Sequence, residues 1–103
     1  MPENIIAAEV LPLLKQSHQA VVALENLGFR ILYIGQTISV EAPESLWRAI
    51  FNISFINRQK TVMPEIGIED VNYLEAVMDD FQIPAQMQDL IADVMFVEPP
   101  ELY

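Results

Sequence analysis

Residues 29–42 sort their side chains cleanly in one arrangement, a β-hairpin closed by Gly35-Gln36. Glycine in the first loop position suits a type II′ turn. Ile34 then faces Thr37, Tyr33 faces Ile38, Leu32 faces Ser39, Ile31 faces Val40 and Arg30 faces Glu41. One face becomes Phe29, Ile31, Tyr33, Ile38 and Val40, all apolar. The other carries Leu32, Ile34, Thr37, Ser39 and the opposite-charge pair Arg30–Glu41. A slip of one residue would exchange the faces and scramble this sorting. A lone hairpin is marginal in water, so this one needs helices to lie on.

The flanking sequence supplies helical periods. Asn4 suits an N-cap, and Val10, Leu13, Leu14, Ala20, Val21, Leu24 and Leu27 recur at helical spacing up to Gly28. Gly28 suits a left-handed cap. Pro12 removes one hydrogen bond and clashes with the preceding turn. The N-terminal element is therefore either one helix bent at Pro12 or a short helix followed by one starting there. Ala42-Pro43-Glu44 opens an apolar helix over about 44–57, with Leu46, Trp47, Ile50, Phe51, Ile53, Phe55 and Ile56 covering much of its circumference. Residues 62–67 read as loop. At 100° per residue, Val71, Leu74, Val77, Met78 and Phe81 share one third of a helical circle, which predicts a helix over 68–81. Gln82-Ile83-Pro84 breaks it. A last helix over 84–97 points Met87, Leu90, Ile91, Val94 and Met95 inward. The expected fold is α+β and mostly helical, ending in an antiparallel helical hairpin. Residues 1–97 form a single domain, and 98–103 a short acidic, proline-containing tail.

At 103 residues and 52% hydrophobic, the chain has a composition that builds one core and is too short for two. It holds no cysteine, which excludes disulfides, cysteine-ligated metals and thiol catalysis and fits a reducing compartment. The start, Met1-Pro2-Glu3-Asn4, lacks a basic region followed by an apolar run, and no stretch reaches the length of a membrane span. These features predict a cytoplasmic protein without membrane contact. The net charge of −10 is unevenly placed. Residues 1–61 balance five acids against five bases, whereas 62–103 hold ten acids and neither lysine nor arginine. Such a half repels nucleic acid and anionic lipid, so direct nucleic-acid binding is not expected.

Catalytic machinery is hard to assemble from this sequence. His18 is the single histidine and has no acid one helical turn away. Three scattered glycines make no phosphate loop. No segment carries the alternating oxygen ligands of a calcium loop, and one histidine cannot furnish a di-metal carboxylate bundle. No enzyme activity, metal or other cofactor is expected. The succession of elements resembles small acidic secretion chaperones in size and charge.

Two functional expectations arise. The first is a small acidic non-catalytic interaction module, whether adaptor, chaperone or regulator, and a homodimer. Its candidate interface is Leu32, Ile34, Trp47, Phe51 and Phe55, apolar surface beyond what one hairpin and one helical pair can cover. The second is an inhibitor that mimics nucleic acid and occupies a basic groove on a nucleic-acid-binding protein. Its candidate docking face is Glu69, Glu75, Asp79, Asp80, Asp89 and Asp93, set along the last two helices. A basic protein partner fits that face in either reading.

Overall fold

The computed structural model describes residues 4–62 and 69–96. The expected loop at 62–67 and the tail at 98–103 therefore lie, apart from Val62, outside the described residues. The elements in chain order are β1 (Ile5–Pro12), α1 (Ser17–Leu27), β2 (Arg30–Ile34), β3 (Ile38–Pro43), α2 (Glu44–Phe51), β4 (Ser54–Val62), β5 (Glu69–Val77) and β6 (Ile91–Met95). A single 3-10 turn covers Ala85–Met87. The chain is α+β, but it is mainly sheet, and the mostly helical expectation is corrected.

Three helical stretches are replaced. The N-terminal segment is not a helix bent at Pro12. It is a strand that ends at Pro12, where a missing N–H does no harm to the ladder, and the helix starts only at Ser17. Lys15, at φ 66°, turns the chain between them. Residues 69–77 form a strand because β4 pairs with them along nine consecutive positions, from Ser54↔Val77 to Val62↔Glu69. The expected helix at 84–97 shrinks to one 3-10 turn followed by β6, which pairs with β1. The helix at 44–57 forms but stops at Phe51. Asn52 adopts a left-handed conformation at φ 57° and donates from Nδ2 to the Asp80 carbonyl, 3.1 Å away, and the chain re-emerges as β4.

The hairpin at 29–42 forms, with one change of register. Arg30↔Glu41 and Ile31↔Val40 pair as the sorting predicts. A bulge between Ile31 and Tyr33 then shifts the ladder to Tyr33↔Ser39 and Ile34↔Ile38, leaving Gly35-Gln36-Thr37 as a three-residue loop. One extra residue on one strand reverses the facing of the residues beyond it. Tyr33 therefore leaves the expected apolar face and joins Ser39 on the opposite one. Gly28 ends α1 as the sequence predicts: at φ 108° its N–H bonds back to the Glu25 and Leu24 carbonyls.

Four strands make one antiparallel sheet in the order β2-β3-β1-β6. Leaving β4 and β5 aside, the connectivity is β-α-β-β-α-β, the split βαβ or ferredoxin-like arrangement, in which β3 lies between the two strands that α1 joins. The β4–β5 ribbon is inserted between α2 and the last strand. Alternation puts Ala8 and Val10 of β1, and Ile38, Val40 and Ala42 of β3, on one face. All are buried, together with Ala20, Val21 and Leu24 of α1 and Trp47 and Phe51 of α2. Ile91 and Val94 complete the layer from β6. Both helices thus cover the same side of the sheet, and among the described residues no helix covers the other side, as an antiparallel sheet permits. The ribbon joins the body at its base, where Phe55 packs edge-on against Phe96 with ring centroids 5.4 Å apart. Among the described residues, no helix is long and apolar enough to cross a membrane.

Candidate functional site

The open face is built by the residues that alternate with the core. Tyr33, Ser39, Glu9 and Met95 are successive partners across all four strands, so they form one row over the sheet. Beside it, Arg30, Glu41 and Ala7 form a second row, and Leu11 pairs with Asp93 beyond it. The periphery is apolar and accessible: Tyr33 is 69% exposed, Ile5 58%, Met95 40% and Leu11 38%.

The centre of the face is polar and ordered. Thr37 donates from Oγ1 to Glu9 Oε1 at 2.6 Å. Ser39 Oγ lies 2.8 and 2.7 Å from the two carboxylate oxygens and shares its proton between them. These hydroxyls, Thr37 first and Ser39 second, hold the Glu9 carboxyl below the usual glutamate range, against a smaller opposing effect of burial. Arg30 and Glu41 form an ion pair at 3.2 Å in the adjoining row. Glu9, Glu41 and Asp93 together outweigh Arg30, so the face carries net negative charge. Asp93 turns one oxygen to its neighbour, accepting from the Val94 N–H at 2.8 Å.

The depressed Glu9 pKa sets a sign. A carboxyl whose folded pKa lies below its unfolded value stabilises the fold above that unfolded value, and the contribution disappears as pH falls through the folded one. Glu9→Gln, which keeps the shape and removes the charge, should narrow the gap to the wild type as pH falls. Melting temperatures measured from about pH 6 to about pH 3 test this. A gap that widens toward acid would contradict the assignment.

A cleft of about 400 Å³ opens beside this face. It is lined by Asn4, by residues 5–9 of β1 and by Leu74 of the ribbon. Glu9 therefore belongs to both features.

The residues singled out from sequence do not assemble into either expected surface. Leu32 and Ile34 are exposed on β2, at the sheet edge. Trp47 and Phe51 have no exposed surface in the single chain. Phe55 is partly buried at the base of the ribbon. The acidic set is equally dispersed. Glu69 opens β5, Glu75 is bound by Arg58, Asp79 and Asp80 sit in an exposed turn, Asp89 follows the 3-10 turn, and Asp93 lies on β6. The helical row of carboxylates expected of a nucleic-acid mimic is not formed. His18 is exposed on the first turn of α1. Among the described residues, no cluster of three or more histidines and carboxylates could hold a metal ion. Sequence reasoning misses Glu9, Thr37 and Ser39 as a group. The usable signal is the run of β-branched and small residues before Pro12, which reads as a strand once alternation is tested there.

No protein-family model matches the chain, and no curated protein or solved structure is similar to it.

Proposed function

We propose that the chain is a non-catalytic protein-interaction module whose open sheet face seats a partner rich in lysine or arginine. The row Tyr33–Ser39–Glu9–Met95 carries this reading: an ionised carboxylate fixed at the centre of an accessible face, with apolar side chains around it. Apolar periphery supplies area, and the central charge supplies selectivity for a cation. Fixing the carboxylate beforehand lowers the ordering cost of binding. The same geometry leaves Ser39 with only a weak base beside it, because the Thr37 and Ser39 hydroxyls hold the Glu9 carboxyl below its usual range and no histidine lies on these strands. A split βαβ sheet hosts unrelated activities, so its topology adds nothing to the assignment.

The test is selection of a random peptide library on the immobilised full chain. The expected result is enrichment of lysine and arginine among the bound sequences. Glu9→Gln should weaken the selected peptides about tenfold, the scale of one charge-assisted contact, with Tyr33→Ser giving a further loss. Selected sequences without basic residues, or binding indifferent to both substitutions, would overturn the reading.

A further inference from the structure

The hydrogen bonds of β1 are distributed unevenly along its length. On one side it pairs with β3 from Ile5↔Pro43 to Val10↔Ile38. On the other it pairs with β6 only from Glu9 onward. Two bonds fix which residues face which side. The Asn4 carbonyl accepts from the Glu44 N–H at 3.0 Å, on the β3 side, and the Leu13 N–H donates to the Leu90 carbonyl at 2.9 Å, on the β6 side. Backbone groups alternate along a strand. The N–H and C=O of Ile5 and Ala7 therefore point to the β6 side, beyond the end of β6, and among the described residues no strand pairs with them there.

This edge, open among the described residues, lines the cleft together with Leu74 of the ribbon. Proteins normally blunt such edges with charge, proline or a bulge. The β2 edge is treated in this way, with Arg30 at its start and a bulge at Leu32. Ile5-Ile6-Ala7-Ala8 has none of these devices. Glu9 lies at the end of the open stretch with its carboxylate held ionised.

We propose that this edge binds an extended, lysine- or arginine-bearing peptide segment of the partner by strand addition, as a fifth strand in line with β6. The proposal rests on the interaction-module reading and names how the partner engages. Main-chain bonds to Ile5 and Ala7 hold the segment, and Glu9 selects a cationic side chain beside it. Charge decides between occupants. A second copy brings the same Glu9 and another ten units of net negative charge, and the chain's own last residues, with Glu98, Pro99, Pro100 and Glu101, bring acids and two missing donors.

The experiment is amide hydrogen exchange by NMR on the full chain, with an acetylated Val-Lys-Val-Thr-Val-Lys-Val amide as probe. In the free protein, Ile6 and Ala8 should be protected and Ile5 and Ala7 should exchange readily. Adding the probe should slow Ile5 and Ala7 by about tenfold or more. A probe N-methylated on the alternate amides that face β1 should lose this effect, and one methylated on the other set should keep it. Protection of Ile5 and Ala7 in the free chain overturns the proposal. It would assign the edge to a second copy if dilution removes it, and to the chain's own terminal residues if not. Binding without protection of these two amides, or none at up to about 1 mM probe, also overturns it. Library selection of basic peptides sensitive to Tyr33→Ser would survive either result, so the two readings fail separately.

Discussion

Trp47→Ala should cost about 3–5 kcal/mol, as truncation of a fully buried tryptophan does. Domains of this size are stable by only about 5–15 kcal/mol, so the variant should be close to unfolding at physiological temperature. Trp47 is 0% exposed and sits at the centre of an aromatic cluster. Phe29 meets it edge-on with centroids 4.8 Å apart, Phe96 does the same at 5.0 Å, and Phe51 lies at 5.7 Å. Its Nε1 donates to the Ile6 carbonyl at 3.0 Å, tying α2 to β1. Trp47→Phe keeps most of the ring contacts and loses that donor, and should cost about 1–3 kcal/mol. Urea denaturation of the three proteins measures both values. A loss below about 1 kcal/mol for the alanine variant would place Trp47 outside the core. The sequence places Trp47 in a candidate interface because a helix continued through 57 exposes more apolar surface than one chain covers. Ending α2 at Asn52 removes that surplus by sending Phe55 and Ile56 into a strand.

Legibility in the sequence tracks how local the determinants are. Gly28 caps α1 through its own φ, and the 29–42 hairpin closes through a short loop, so both can be read from neighbouring residues. Even there, the bulge at Leu32 moves Tyr33 to the other face, and nothing local announces it. The β5 segment, Glu-Asp-Val-Asn-Tyr-Leu-Glu-Ala-Val, fits two periods at once. Val71, Leu74, Val77 and Met78 make a helical stripe, while pairing with β4 needs only extended backbone and a partner. Its Leu, Glu and Ala favour helix and its Val and Tyr favour strand, so intrinsic preference is nearly balanced and the long-range partner decides. The site is hidden for the same reason. Glu9 lies 28 and 30 residues from Thr37 and Ser39, and only the β1–β3 register brings them together. A helix over residues 5–12 would give Glu9 no sheet to stand on.

Ile91→Ala and Leu74→Ala should separate the two folds that these periods allow. In a helical hairpin both positions face the seam, and both substitutions carry the cost of a buried cavity. In the sheet they differ. Ile91 is 2% exposed, at the start of β6, and its pairing with Pro12 closes the core against β1. Removing its side chain beyond Cβ should cost about 2–5 kcal/mol. Leu74 is half-buried on the ribbon and borders the cleft, so there is no sealed cavity for its truncation to create. Its loss should cost about 1 kcal/mol or less, the transfer term for a partly exposed side chain. Urea midpoints of the two variants at equal slope give the comparison directly. Equal costs would restore the helical packing and dissolve the cleft wall. A large cost at Ile91 with a small one at Leu74 places β6 in the core and leaves the ribbon side of the cleft free to adjust to what enters it.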